Sequence, residues 1–233
     1  MRDSLLALAL ASIFGIAHAG TVQILVTDKD GKPVPDVVVP IDAAGKPAPK
    51  AAAAPVVIVQ EDSRFVSFLT VVPLGSTLRF TNRDAYDHHV RSTPSGPLGN
   101  TPAVSSFEFR LHAAEVAAPA GSGYDAPKPA PRAGNNAATS AEVRVDVPGA
   151  IGLGCHIHSS MRGQVYVAAT PWFGKTDANG AFSIDGVPDG AADLTLWHAD
   201  QLQDQPALHV QVGNTPVKTI AQLNFAPRRR RSP

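Results

Sequence analysis

Apolar and polar residues alternate in short runs along this chain, and Gly, Pro, Asn or Asp interrupts the runs every few positions. No long segment carries a helical period, so the pattern predicts β structure throughout. TVQILVT at 21–27 predicts a first strand, and DKDGKPVPD after it is turn chemistry. A short strand is expected over 37–41, followed by a linker, AAGKPAPKAAAAP, at 43–55. VVIVQ from 56, RFVSFLTVV from 64, STLRFTN from 76 and HHVRS from 88 predict further strands, with PLG at 73–75 as a turn. Residues 113–142 are mostly Ala, Pro and Gly, too poor in large apolar side chains to fill a core, and predict a long irregular insertion. Strand signals return at 143–147 and 163–168. In the last block Asn179-Gly180 marks a hairpin, AFSI at 181–184 and DLTLWH at 193–198 alternate like half-buried strands around a turn at 186–190, and ALHVQV at 207–212 adds one more.

The two ends stand apart from this pattern. Arg2 precedes an apolar run from Leu5 to Ile16 that closes on Ala17-His18-Ala19, the arrangement of a secretory signal peptide over residues 1–19. The run is shorter than the roughly 20 apolar residues of a membrane span, and no other stretch approaches that length, so no membrane insertion is expected. The mature chain is expected to start near Gly20, outside the cytoplasm. Residues 226–233, ending RRRRSP, read as a disordered basic tail. Lys+Arg and Asp+Glu both number 20, and removal of Arg2 and Asp3 together keeps the balance, which gives no indication of a nucleic-acid partner.

Export sharpens the chemistry. The chain holds one cysteine, and an unpaired thiol in an oxidising compartment forms an intermolecular bridge, stays reactive, or is occupied by something else. Cys155 lies in LGCHIHSSMRGQVYV, residues 153–167, where Cys155, His158 and Met161 fall at the spacing C-x2-H-x2-M. A thiolate, two imidazoles and a weak thioether are the donor set of a blue copper site. The second imidazole is expected from FTNRDAYDHHVRS at 80–92; neighbours on a strand face opposite ways, so only one of His88 and His89 can enter. His112, His198 and His209 lie outside this constellation, and Glu108, Glu115 and Asp193 show no paired arrangement suited to acid–base catalysis.

VVPLGSTLRFTNRDAYDHHV followed by GCHIHSSMRGQVYV resembles the cupredoxins, the plastocyanin-like blue copper proteins, and within them the periplasmic type called methylamine utilisation protein. The resemblance covers roughly 56–213, leaving the insertion aside. It implies copper ligands His88, Cys155, His158 and Met161, with Asn82 at the loop asparagine and His89 and His156 at non-ligand positions. Ser159 and Ser160 replace the bulky residues of close relatives, which points to a wetter pocket. TDANGAFSIDGVPDGAADLTLWH, with TDKDGKPVPDVVV at 27–39, resembles the carboxypeptidase regulatory-like β-sandwich. The implied fold is all-β, a cupredoxin Greek-key sandwich at 56–169 carrying the 113–142 insertion, plus a small Ig-like sandwich at 170–225. Residues 20–43 are expected to complete the second sandwich, with 44–55 as linker. The implied function is a monomeric periplasmic carrier of single electrons between redox protein partners, using one type 1 copper and not an enzyme. The alternatives are a copper-handling or protein- or glycan-binding module, and a thiol that forms an intermolecular disulfide. A multicopper enzyme fares poorly because the chain lacks the further His-rich motifs.

Overall fold

Val22, Ile24 and Val26 are buried at alternate positions of the first strand, as its alternating sequence requires. The structure is a computed structural model that describes residues 19–99, 101–114 and 138–228. The expected signal peptide, except Ala19, lies outside the described residues, as do most of the 113–142 insertion and the last five residues of the tail. In chain order the strands are β1 (Ala19–Thr27), β2 (Val38–Ala43), β3 (Val56–Glu61), β4 (Arg64–Phe65), β5 (Leu69–Pro73), β6 (Thr77–Asn82), β7 (His88–Thr93) and β8 (Glu108–Leu111). They continue as β9 (Ser140–Arg144), β10 (Gly149–Cys155), β11 (Arg162–Ala168), β12 (Phe173–Lys175), β13 (Ala181–Pro188), β14 (Gly190–Leu194), β15 (Leu208–Val212) and β16 (Val217–Gln222). Among the described residues there is no helix, so none is long and apolar enough to cross a membrane. The fold is all-β.

The strands close over two separate cores. Sheets β5-β11-β10-β7-β8 and β4-β3-β6-β9 enclose Leu78, Phe80, Val90, Leu111, Ile151 and Leu153. Sheets β13-β1-β16 and β12-β2-β14-β15 enclose Val22, Ile24, Ile41, Val187, Leu194 and Leu223. β1 runs antiparallel to β13 and parallel to β16, so the first strand is stitched to the last third of the chain. The sheets of the first core are built from strands lying between β2 and β12 in the sequence.

Several sequence expectations shift. The 113–142 insertion is too long, because Ser140 to Glu142 already belong to β9 and pair with Thr81, Phe80 and Arg79 of β6. The expected strand at 143–147 accordingly begins earlier and ends at Arg144. RFVSFLTVV divides into β4 and β5, since the Ser67 hydroxyl donates to Leu69 O at 2.9 Å and turns the chain between them. DLTLWH stops pairing at Leu194; beyond it only Trp197 bridges, to Val38. The strand at AFSI runs on to Pro188, which shortens the expected turn at 186–190. β8, β10, β12 and β16 had no counterpart in the sequence reading.

Candidate metal centre

β7 and β10 pair antiparallel with Cys155 opposite Val90, which brings the start of one strand to the end of the other. His88 and Val90 face the core and are fully buried, while alternation sends His89 outward. After Cys155 the chain turns, closed by the Met161 N–H donating to His158 O at 3.0 Å. That turn returns the His158 imidazole toward Cys155. Cys155 Sγ lies 3.8 Å from His88 Nδ1 and 3.7 Å from His158 Nδ1, and the two nitrogens are 3.2 Å apart.

Those three separations test whether an ion fits. A triangle with sides of 3.8, 3.7 and 3.2 Å has a centre about 2.1 Å from every corner, within the ~2.0–2.3 Å range of imidazole and thiolate bonds to a metal such as zinc. The donor triangle is therefore already the size an ion needs, and the His88–Cys155–His158 cluster fits a single copper site. Two imidazoles and one thiolate suit copper or zinc by chemistry.

His88 is oriented from behind. Its Nε2 lies 2.7 Å from Asp84 Oδ2, so Nε2 carries the proton and donates it, leaving the Nδ1 lone pair facing Cys155. Asp62 and Ser63 adopt left-handed conformations, with φ of 53° and 57°.

 The pair forms the two-residue turn between β3 and β4, where a tight hairpin calls for positive φ at both central residues. Both N–H groups donate to the Asp84 carboxylate, at 2.7 and 3.1 Å. Asn82 holds the loop itself: its Oδ1 accepts from the Asp84 N–H, and its Nδ2 donates to Tyr86 O and His112 O, all at 2.8 Å. Burial pushes the Asp84 carboxyl up, but the hydrogen bonds from His88, Ser63 and Asp62 outweigh it and hold the group below its ordinary value. Asp87 is likewise raised by burial and lowered further by the Ala113 N–H and Arg110, with a net downward shift. Tyr86 stands edge-on to both His88 and His158, with ring centres 5.5 and 5.3 Å away.

Met161 is 1% exposed and packs in the same buried cluster as Cys155. A cavity of about 110 Å³ reaches both residues, with Ser159 in its wall. At ~30 Å³ per water this is room for a few molecules. Ser159 and Ser160 themselves are exposed, so their hydroxyls border the site from outside. His89 and His156 point away from the cluster toward Glu108, and His209 pairs with Asp193 on the other sandwich. Sequence reasoning missed Asp84, Tyr86 and Glu108. For Asp84 the signal was its position four residues before His88 in a loop ending on a ligand; Tyr86 and Glu108 carried none.

Fold and site together define an all-β protein with a cysteine–imidazole cluster of copper-site dimensions. No family model matches the chain, and no curated protein matches it. Among solved structures it is similar to a reduced Cu(I) form of an amicyanin mutant, at 17% identity and a TM-score of 0.32, over 55% of this chain and 97% of that one. An oxidised amicyanin mutant is similar at 15% identity and a TM-score of 0.32, over 55% and 98% of the two chains. A copper-containing nitrite reductase from Thermus scotoductus is similar at 18% identity and a TM-score of 0.34, over 51% of this chain and 25% of that one. At these scores the likenesses carry no weight in assigning function.

Proposed function

We propose that the protein is an exported, non-enzymatic carrier of single electrons, with one type 1 copper held by His88, Cys155 and His158 and by Met161 as a weak axial thioether. The observation that carries this reading is the donor triangle, whose centre lies about 2.1 Å from Nδ1, Sγ and Nδ1. When bound, copper supplies the Cu(I)/Cu(II) couple. The residues supply rigidity: His88 is fixed by Asp84 and Cys155 ends a strand bonded on both sides. The His89 N–H donates to Cys155 Sγ at 3.4 Å, which stabilises negative charge on the sulfur. His158 is only part-buried, with exposed Tyr86 and Ile157 beside it, and this is the face on which a redox partner protein would dock. The periplasm, the methylamine utilisation type and a carboxypeptidase regulatory-like second sandwich belong to the same proposal, supported by the sequence motifs.

The test is a visible spectrum of the full chain after addition of Cu(II). An intense thiolate-to-copper band that bleaches on reduction and returns on oxidation is expected. His88→Ala abolishes the band, while His89→Ala leaves it in place because that imidazole faces away from the sulfur. A colourless protein, or loss of the band in His89→Ala alone, overturns the assignment.

A further inference from the structure

Cys155 and His88 each have a histidine as their next residue, and alternation turns both of those imidazoles to the outer surface of the sheet. There they meet again. His89 Nε2 lies 2.8 Å from Glu108 Oε1, and His156 Nε2 lies 3.4 Å from the same oxygen. The two ring centres are 5.0 Å apart. The backbone brings them together by ordinary pairing: Glu108 stands opposite Arg91 on β7, and the His156 N–H donates to His89 O at 3.0 Å. Three side chains thus come together from β7, β8 and the turn after β10. Nearby Arg110 does not neutralise the carboxylate, because its guanidinium is engaged by Asp87 at 2.8 Å.

We propose that His89, Glu108 and His156 form a second, solvent-facing site for a divalent transition-metal ion. Two imidazoles and one carboxylate with open positions suit copper, zinc, iron or nickel, and the general affinity order places Cu(II) tightest. The ion takes the place of the two hydrogen bonds to Glu108 by drawing the half-exposed rings inward around it. Side-chain exposures of 34%, 53% and 46% for His89, Glu108 and His156 leave them free to make that adjustment. No sequence motif announces the site, because Glu108 reaches it only through strand pairing. It depends on neither Cys155 nor His158, so it stands apart from the buried copper reading, although one peptide bond links His156 to Cys155.

Equilibrium dialysis of the full chain against Cu(II), with Zn(II) in parallel, counts the ions bound, while the visible band reports the thiolate site separately. Two Cu(II) ions per chain are expected. Glu108→Gln and His156→Asn, checked for unchanged unfolding midpoints, should weaken the second ion by about tenfold or more and leave any thiolate band as it was. One ion per chain in a parent that shows the thiolate band, or unchanged binding in both variants, overturns the proposal. Loss of an ion in the variants of a protein without the thiolate band upholds this site and removes the electron-carrier reading instead.

Discussion

Asp84 decides how well His88 can serve as a ligand. It accepts from one imidazole and from two backbone N–H groups, so its charge is spread over three donors and the ring cannot rotate without losing a short bond. Asp84→Asn keeps the shape but removes the charge, and an amide has only one acceptor oxygen for these donors. Copper affinity should fall about 10–100-fold, the usual cost of disturbing a ligand's hydrogen-bond partner. Loss of a nearby negative charge also favours Cu(I), so the midpoint potential should rise; dialysis and a redox titration of the visible band measure the two effects. Cys155, His158, Met161 and the pair His88-His89 stood out because donor types and spacing are local to two short stretches, and the structure gathers His88, Cys155 and His158 of these. Asp84, Tyr86 and Glu108 did not stand out, because their roles arise from turns and pairings that no spacing encodes.

At the scale of the element, β10 shows why a glycine-rich strand escapes a pattern reading. GAIGLGC has no alternation, yet nearly all of it is buried, since glycine lets another strand pass close. A Cβ on Gly152 would stand 2.5 Å from Thr93 Oγ1 and 2.6 Å from Pro94 O. Gly152→Ala must therefore push β7 away from β10, and the same two strands carry His88 and Cys155. Overpacking of this kind costs about 1–3 kcal/mol. Urea unfolding should show that loss, and the thiolate band should weaken or shift because the donor triangle no longer closes. The strands that were legible, such as β1 and β6, alternate cleanly between core and solvent. β16 stayed hidden because its apolar positions do not all face a core: Ala221 is buried but Ile220 is 70% exposed.

Across the whole molecule, the two sandwiches touch where Tyr166 of β11 lies against Trp197, with ring centres 5.2 Å apart. Trp197 is anchored in the second sandwich by paired backbone hydrogen bonds to Val38, at 2.8 and 3.0 Å. All-β architecture was legible in the short alternating runs. The joining of residues 20–43 to the second sandwich was expected only because both stretches resemble one family, and the place of β1 beside β16 was not expected at all, since parallel pairing over nearly two hundred residues leaves no local trace. The junction makes its own prediction. Burial raises the Tyr166 phenol above its ordinary value, and Asp204 adds to the shift. A group that holds its proton more tightly when folded stabilises the fold below its unfolded pKa of ~10, and that contribution disappears as pH rises through the folded value. Urea unfolding should therefore show stability falling as pH climbs past ~10, and Tyr166→Phe should flatten that fall while preserving the contact with Trp197. The difference in tyrosinate absorbance between parent and variant isolates this one phenol; if it ionises at the ordinary value, Tyr166 is not shielded and the two sandwiches do not close over it.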